Sequence, residues 1–346
     1  MAKPIVVILD SSDVAVEASV LDGTATVIGA DKHSNEDLSD DLLASADVAL
    51  VFHTIQVNET LLKRLTKCRA IVRFGAGYDN IDTKTAASLG ISVSNSPAYG
   101  TEEVADFALS LILNLYRRTT WLAEKLKTGA ASFARVVDIE REAKGARRMR
   151  GQTLGLVGLG NIGTAVALRA KPFGFNVVFY DPFLSEGISK ALGISRMYSL
   201  KDLLGQSDVI SFHCGLSSQT KHILNADTLA FLKKGSFIVN TARGGLIDEE
   251  ALAAALRSGH VSGAALDVVE AEPCVFSPSS SPLCSAPNVI LTPHAAWYSD
   301  QSIIENRRTC AEEAKRALLG TTPESCLRSW VNRSGFVANS DRWSQK

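Results

Sequence analysis

The sequence predicts an α/β fold of two doubly wound parallel-sheet domains, one inserted into the other. Three observations carry that prediction. Short apolar runs alternate with amphipathic stretches along most of the chain. A long apolar helical stretch, 102–126, interrupts the rhythm once. A glycine-rich turn, Gly158-Leu159-Gly160-Asn161-Ile162-Gly163, lies between a strand and a helix in the second half. With 346 residues, the chain is long enough for two domains with large cores.

In the first hundred residues, 4–9, 24–28, 47–52, 70–74 and 91–93 read as strands. The stretch 102–126 then reads as one helix. Thr101, Glu102 and Glu103 favour its start, and its apolar middle suits a core or a subunit face. A basic connector follows, with Arg141, Lys144, Arg147, Arg148 and Arg150, and reads as solvated surface. Strands resume at 153–157, 176–180, 208–213, 236–240, 264–268 and 288–291. Six strands with intervening helices match the dinucleotide-binding pattern. Residues 299–319 read as a final helix that returns to the first domain. The expected domains are therefore 1–98 with 305–330, then 99–304, with 331–346 as a loose tail.

Composition narrows the function classes. A net charge of −1 gives no global attraction to nucleic acid or acidic membranes. No apolar run is long enough to span a bilayer, and the first residues read as a strand rather than a signal peptide. The six cysteines show no zinc-like spacing and read as reduced thiols, although Cys274 and Cys284 flank a Ser/Pro loop at 277–282 and could meet.

The glycine turn has a clear physical reading. Gly158 makes the tight turn, Gly160 lets a pyrophosphate approach the backbone, and Gly163 lets helix and strand pack closely. Asp181 ends the next strand, where a carboxylate accepts hydrogen bonds from ribose hydroxyls and repels a 2′-phosphate. NAD is the cofactor this predicts.

Three further residues follow later strands. Arg243 lies in a glycine-containing loop, Glu272 precedes Pro273, and His294 follows Pro293. A guanidinium grips a carboxylate with two parallel hydrogen bonds. An imidazolium oriented by a carboxylate protonates an alkoxide. The set suits reduction of a small 2-oxo acid, with hydride from nicotinamide. In the first domain, Arg73, Gly75 and Gly77 form a second candidate anion site for the substrate carboxylate.

In this order of glycine loop, Arg, Glu and His, residues 4–320 resemble the D-2-hydroxyacid dehydrogenase family. Segments 71–82, 113–122, 165–176 and His294-Ala-Ala-Trp-Tyr-Ser299 are similar to its C-terminal binding protein branch of transcriptional corepressors. The resemblance implies a Rossmann NAD-binding domain inserted into a flavodoxin-like substrate- and peptide-binding domain. It assigns the catalytic roles to Arg243, Glu272 and His294. It extends the cofactor contacts to Ala76, Leu159, Asn161, Ile162, Cys214, Gly215, Leu216, Thr220, Thr241, Ala242, Asp267 and Trp297. Trp297 would also narrow the substrate pocket. It implies a homodimer or dimer of dimers, a nuclear and cytoplasmic location, and a cleft for Pro-x-Asp-Leu-Ser peptides of transcription factors that recruits chromatin-modifying proteins. Four positions depart from the branch: Ile28 stands where a small residue is usual in the cleft, Val104 and Ala76 where threonine and serine are, and Asn161 where arginine is.

Overall fold

The computed structural model describes residues 2–272, 277 and 281–343. They form two units: Met1–Gly100 with Tyr298–Lys346, and Thr101–Trp297. Each is built on one parallel sheet. No helix among the described residues is long and apolar enough to cross a membrane.

The first unit holds β1 (Ile5–Ile8), β2 (Thr26–Gly29), β3 (Val48–Val51), β4 (Ala70–Arg73) and β5 (Ser92–Asn95), in the order β2-β1-β3-β4-β5. All pairings are parallel. β3, β4 and β5 are buried along their whole length, and β3 reads as an unbroken apolar run, β4 as one that ends in Arg73. On one face of the sheet lies the helix Asp300–Leu319, capped by Ser299. Its small residues Cys310, Ala314 and Ala317 pack beside Val6, Ile8, Val48, Leu50 and Val72.

The second unit holds β6 (Thr153–Val157), β7 (Asn176–Tyr180), β8 (Ser195–Arg196), β9 (Val209–Phe212), β10 (Ser236–Asn240), β11 (Val261–Leu266) and β12 (Val289–Leu291). Their order is β12-β11-β10-β9-β6-β7-β8, so the direction of winding reverses between β6 and β9. Ligands bind at such a switch point, beyond the carboxyl ends of the strands. The helices Thr101–Arg117 and Asn161–Ala170 supply one apolar layer, and Leu200–Gln206 and Glu249–Arg257 the other.

Four sequence readings need correction. The two-residue β8 has no apolar run to announce it. The helix expected over 102–126 breaks at Arg118, whose φ is +59°. There the Asn114 side chain accepts from Thr120 N (3.2 Å) and Thr120 Oγ1 (2.7 Å), starting a separate helix, Thr119–Lys127. In the connector expected as solvated surface, Arg147 donates to Gly235 O (2.6 Å) and Ser262 Oγ (2.7 Å) and lies over the Phe237 ring. Residues 331–343 are no loose tail. Asn332 accepts from Val93 N (2.8 Å) and donates to Ile91 O (2.9 Å), closing the outer edge of β5, and Trp343 is buried. The Cys274–Cys284 proximity and residues 278–280 of the Ser/Pro loop lie outside the described residues.

One buried ion pair ties the chain ends of the first unit. Arg307 donates from Nε to Glu17 Oε1 (2.8 Å) and from Nη2 to Glu17 Oε2 (2.7 Å), and also contacts Asp13. Glu17 is fully buried. Removing one partner strands the other charge, at a cost of about 3–5 kcal/mol. Arg307→Met is expected to lose that much in urea unfolding, and Arg307→Met with Glu17→Leu to recover most of it. A single variant within about 1 kcal/mol of wild type would refute the role.

Candidate active site

The glycine turn follows β6. Gly158 has φ +92°, and a Cβ there would lie 2.8 Å from Cys214 N and 2.9 Å from His213 C. A Cβ at Gly163 would lie 2.4 Å from Gly158 O, so only glycine lets the helix sit this close to the turn. Above Gly160 a Cβ would meet nothing within 4 Å. The helix that starts at Gly160 has no side-chain cap, so its first N–H groups are left to an anion. Leu159 is buried, Ile162 half-buried and Asn161 exposed.

Neighbouring strand ends extend this surface. Asp181, after β7, accepts from Leu159 N and from Phe183 N, both at 3.0 Å. Its carboxylate is thereby fixed to the glycine turn. After β9, Thr220 Oγ1 donates to Gly215 O (2.8 Å) and accepts from Ser217 N (2.8 Å), shaping the turn that carries Cys214, Gly215 and Leu216. Burial pushes the Cys214 thiol up to about 11, so it stays neutral. Burial also pushes the His213 imidazole down to about 4, and Ser211 Oγ lies 2.9 Å from its Nε2. Thr241, after β10, is buried with no partner for Oγ1 among the described residues. An orphaned hydroxyl at one strand end and an uncapped helix start at another fit a bound dinucleotide.

Arg243, Glu272 and His294 follow three adjacent strands. After β10, Asn240 Nδ2 donates to Arg243 O (2.8 Å) and its Oδ1 accepts from Ala242 N (3.0 Å), which turns the chain at Arg243. The Arg243 guanidinium donates to Ala242 O (2.7 Å). After β11, Glu272 Oε1 accepts from Val269 N (2.7 Å), and Oε2 lies 2.6 Å from His294 Nδ1. The His294 and Glu272 side chains are 21% and 25% exposed, so a ligand can reach a contact that water screens only partly.

His294 follows β12 with φ +54°, a conformation few histidines adopt. Asp267 holds it there. Its Oδ1 accepts from Thr292 Oγ1 (2.6 Å) and Ala295 N (3.0 Å), and its Oδ2 from Ala296 N (2.8 Å). His294 N donates to Asp267 O (2.8 Å). Asp267 is 1% exposed. The resemblance placed this carboxylate against the cofactor; in the structure it also shapes the turn that carries His294, with two bonds to Oδ1 and one to Oδ2. Trp297, half-buried, follows that turn. The sequence reading missed the positioning by Asp267 and Asn240. The only signal for either was a polar residue at or just past a strand end.

In the first unit, Arg73 is buried and donates from Nη1 to Phe74 O (2.6 Å). Gly75 has φ +135°, and a Cβ there would lie 1.8 Å from Arg73 Nη1. The guanidinium thus folds over its own turn, which the sequence reading did not anticipate. Asn95 Nδ2 braces the turn at exposed Ala76 O (2.6 Å), and half-buried Gly77 follows.

Gly160→Ala has room for its methyl, so it should keep the wild-type melting temperature while losing at least about tenfold in NADH affinity by fluorescence titration. Gly158→Ala should lower the melting temperature itself. Unchanged NADH affinity in Gly160→Ala would remove the turn from the cofactor site.

Comparison with known proteins supports a dinucleotide-binding unit. Residues 109–296 match the family described as D-isomer specific 2-hydroxyacid dehydrogenase, NAD binding domain. The chain is 41% identical to C-terminal-binding protein 1 of Caenorhabditis elegans over 98% of its own length and 46% of that protein. It is 35% identical to D-3-phosphoglycerate dehydrogenase of Methanocaldococcus jannaschii over 82% of its length and 52% of that protein. It therefore spans about half the length of these curated relatives. A crystal structure of D-lactate dehydrogenase from Aquifex aeolicus, complexed with NAD and lactic acid, superposes with a TM-score of 0.83 at 28% identity, covering 95% of this chain and 99% of that one. The chain belongs to the D-isomer specific 2-hydroxyacid dehydrogenase family.

Proposed function

We propose that this chain acts as an NAD(H)-dependent transcriptional corepressor of the C-terminal binding protein type that retains 2-oxo acid reductase chemistry. The observation that carries the proposal is the 41% identity to a C-terminal-binding protein across 98% of the chain. NAD(H), when bound, supplies or accepts the hydride. The glycine turn, Asp181, residues 214–220 and Thr241 would hold it, with Trp297 beside them.

The chain's own residues handle the oxygen and its proton. Glu272 holds His294 at Nδ1, so Nε2 is the ring nitrogen that meets the substrate oxygen. As an imidazolium it donates a proton to the forming alkoxide; in the reverse direction the neutral ring accepts it. Arg243 grips the carboxylate and aligns the carbonyl carbon. Trp297 narrows the pocket, favouring apolar or thioether tails. In the first unit, Arg73, Gly75 and Gly77 form a candidate anion site of their own.

Peptide docking falls to the first unit. β2 pairs with β1 alone and forms an edge of its sheet, with Val27 and Ile28 only half-buried. An extended Pro-x-Asp-Leu-Ser segment of a transcription factor can add to such an edge, and chromatin-modifying proteins would be recruited the same way. Exposed Leu126, Phe133, Val136, Val137 and Ile139 support a homodimer, or dimer of dimers, through the cofactor unit. Nuclear and cytoplasmic location follows from this reading, and direct binding of nucleic acid or membrane is not part of it.

A dedicated metabolic dehydrogenase, such as a glyoxylate or hydroxypyruvate reductase, is the second reading. The complete Arg243, Glu272 and His294 set and the likeness to D-3-phosphoglycerate dehydrogenase favour it. Two assays separate the readings. A labelled Pro-x-Asp-Leu-Ser peptide should bind saturably, with weak NADH turnover across a 2-oxo acid panel. Absence of saturable binding with and without NADH would sink the corepressor reading, and efficient turnover of one metabolite would favour the second.

A further inference from the structure

The loop that carries Glu272 has ties that the Arg243, Glu272 and His294 set does not require. On one side it lies against the arginine loop. A Cβ at Gly244 would come 2.0 Å from Val269 C and 2.4 Å from Glu270 N, so two backbones meet where no side chain fits. On the other side, Glu270 Oε1 lies 2.8 Å from His222 Nε2 and 4.0 Å from Lys221 Nζ. Glu270 N donates to Glu249 Oε1 (2.8 Å), and Glu249 Oε2 accepts from Ser281 Oγ (2.7 Å).

His222 closes the turn that begins at Cys214. Its φ is +48°, its N–H donates to Gly245 O (2.8 Å), and its carbonyl accepts from Asn225 Nδ2 (2.9 Å). The His222 and Glu270 side chains are 34% and 39% exposed. A contact that open to solvent adds little stability, whereas a left-handed histidine costs some. Fold stability therefore does not account for the arrangement. Its geometric effect is plain: three loops after β9, β10 and β11 are tied together two residues from Glu272.

We propose that His222 and Glu270 are positioning residues, a clasp that sets the height and angle at which Glu272 meets His294. The proposal rests on the reading of His294 and Glu272 as the acid–base pair. The clasp acts through that pair and touches neither substrate nor cofactor.

The test uses the full chain and six variants: His222→Ala, Glu270→Ala, their double, His222→Gln, His294→Ala, and Glu270→Ala with His294→Ala. The readouts are glyoxylate reduction by NADH, NADH affinity by fluorescence, and the low-field proton signal of the His294 Nδ1–H···Glu272 bond in ¹⁵N-histidine-labelled protein. That signal is assigned by its loss in His294→Ala. His222→Ala and Glu270→Ala should each lower kcat about tenfold, with KM and NADH affinity within about twofold. The double variant should be no worse than either single one. His222→Gln, which keeps a donor in reach of Glu270, should recover most of kcat. Glu270→Ala should cost nothing further on the His294→Ala background. In both alanine variants the His294 signal should broaden or vanish. An unchanged kcat and signal in the alanine variants would overturn the clasp, as would an equal loss on the His294→Ala background. If wild type does not reduce glyoxylate, the enzymatic reading fails on its own, and the His294 signal alone then decides the clasp: retained in the variants, it refutes it.

Discussion

The Asp267 carboxylate is the contact on which the candidate site depends. It sits at the end of β11, almost fully buried, and accepts from Thr292 Oγ1, Ala295 N and Ala296 N. Those bonds satisfy a charge that burial would otherwise make very costly. They also fold residues 292–296 into a turn tight enough to force His294 to φ +54°. Backbone strain of that kind persists only where the surroundings over-determine it, and here it aims one ring nitrogen at Glu272.

The rest of the second unit makes that turn useful. The sheet order β12-β11-β10-β9-β6-β7-β8 brings the Arg243, Glu272 and His294 loops to three adjacent strand ends and the glycine turn to the switch point beside them. Close backbone approach is the recurring device. Gly158 lies against Cys214 and His213, Gly163 against Gly158, and Gly244 against Val269. Each glycine removes a side chain where two loops must touch, and the polar side chains of Asn240, Thr220 and Asp267 then lock the loops.

How much of this could be read from the sequence follows from which interactions are local. Parallel strands buried on both faces read as continuous apolar runs, so most of the strands are plain, while the shortest, Ser195–Arg196, has no such run. The glycine turn, Asp181, Arg243, Glu272 and His294 are legible because strand ends are where such chemistry belongs. The break at Arg118 is not, since no Gly or Pro marks it within 102–126 and the Asn114 side chain that starts the next helix acts alone. Nor is the packing of residues 331–343, where Asn332 and Trp343 act singly, without a period. The roles of Asp267, His222 and Glu270 depend on loops brought together from distant parts of the chain, and no spacing rule marks them.

The most direct test of the account is single-turnover hydride transfer in Asp267→Asn. The amide keeps the size but places N–H groups where the turn needs an acceptor. The account predicts NADH binding within about fivefold of wild type and hydride transfer slowed at least about a hundredfold, as for a site whose acid is misplaced. Wild-type transfer rates in a folded Asp267→Asn protein would contradict it.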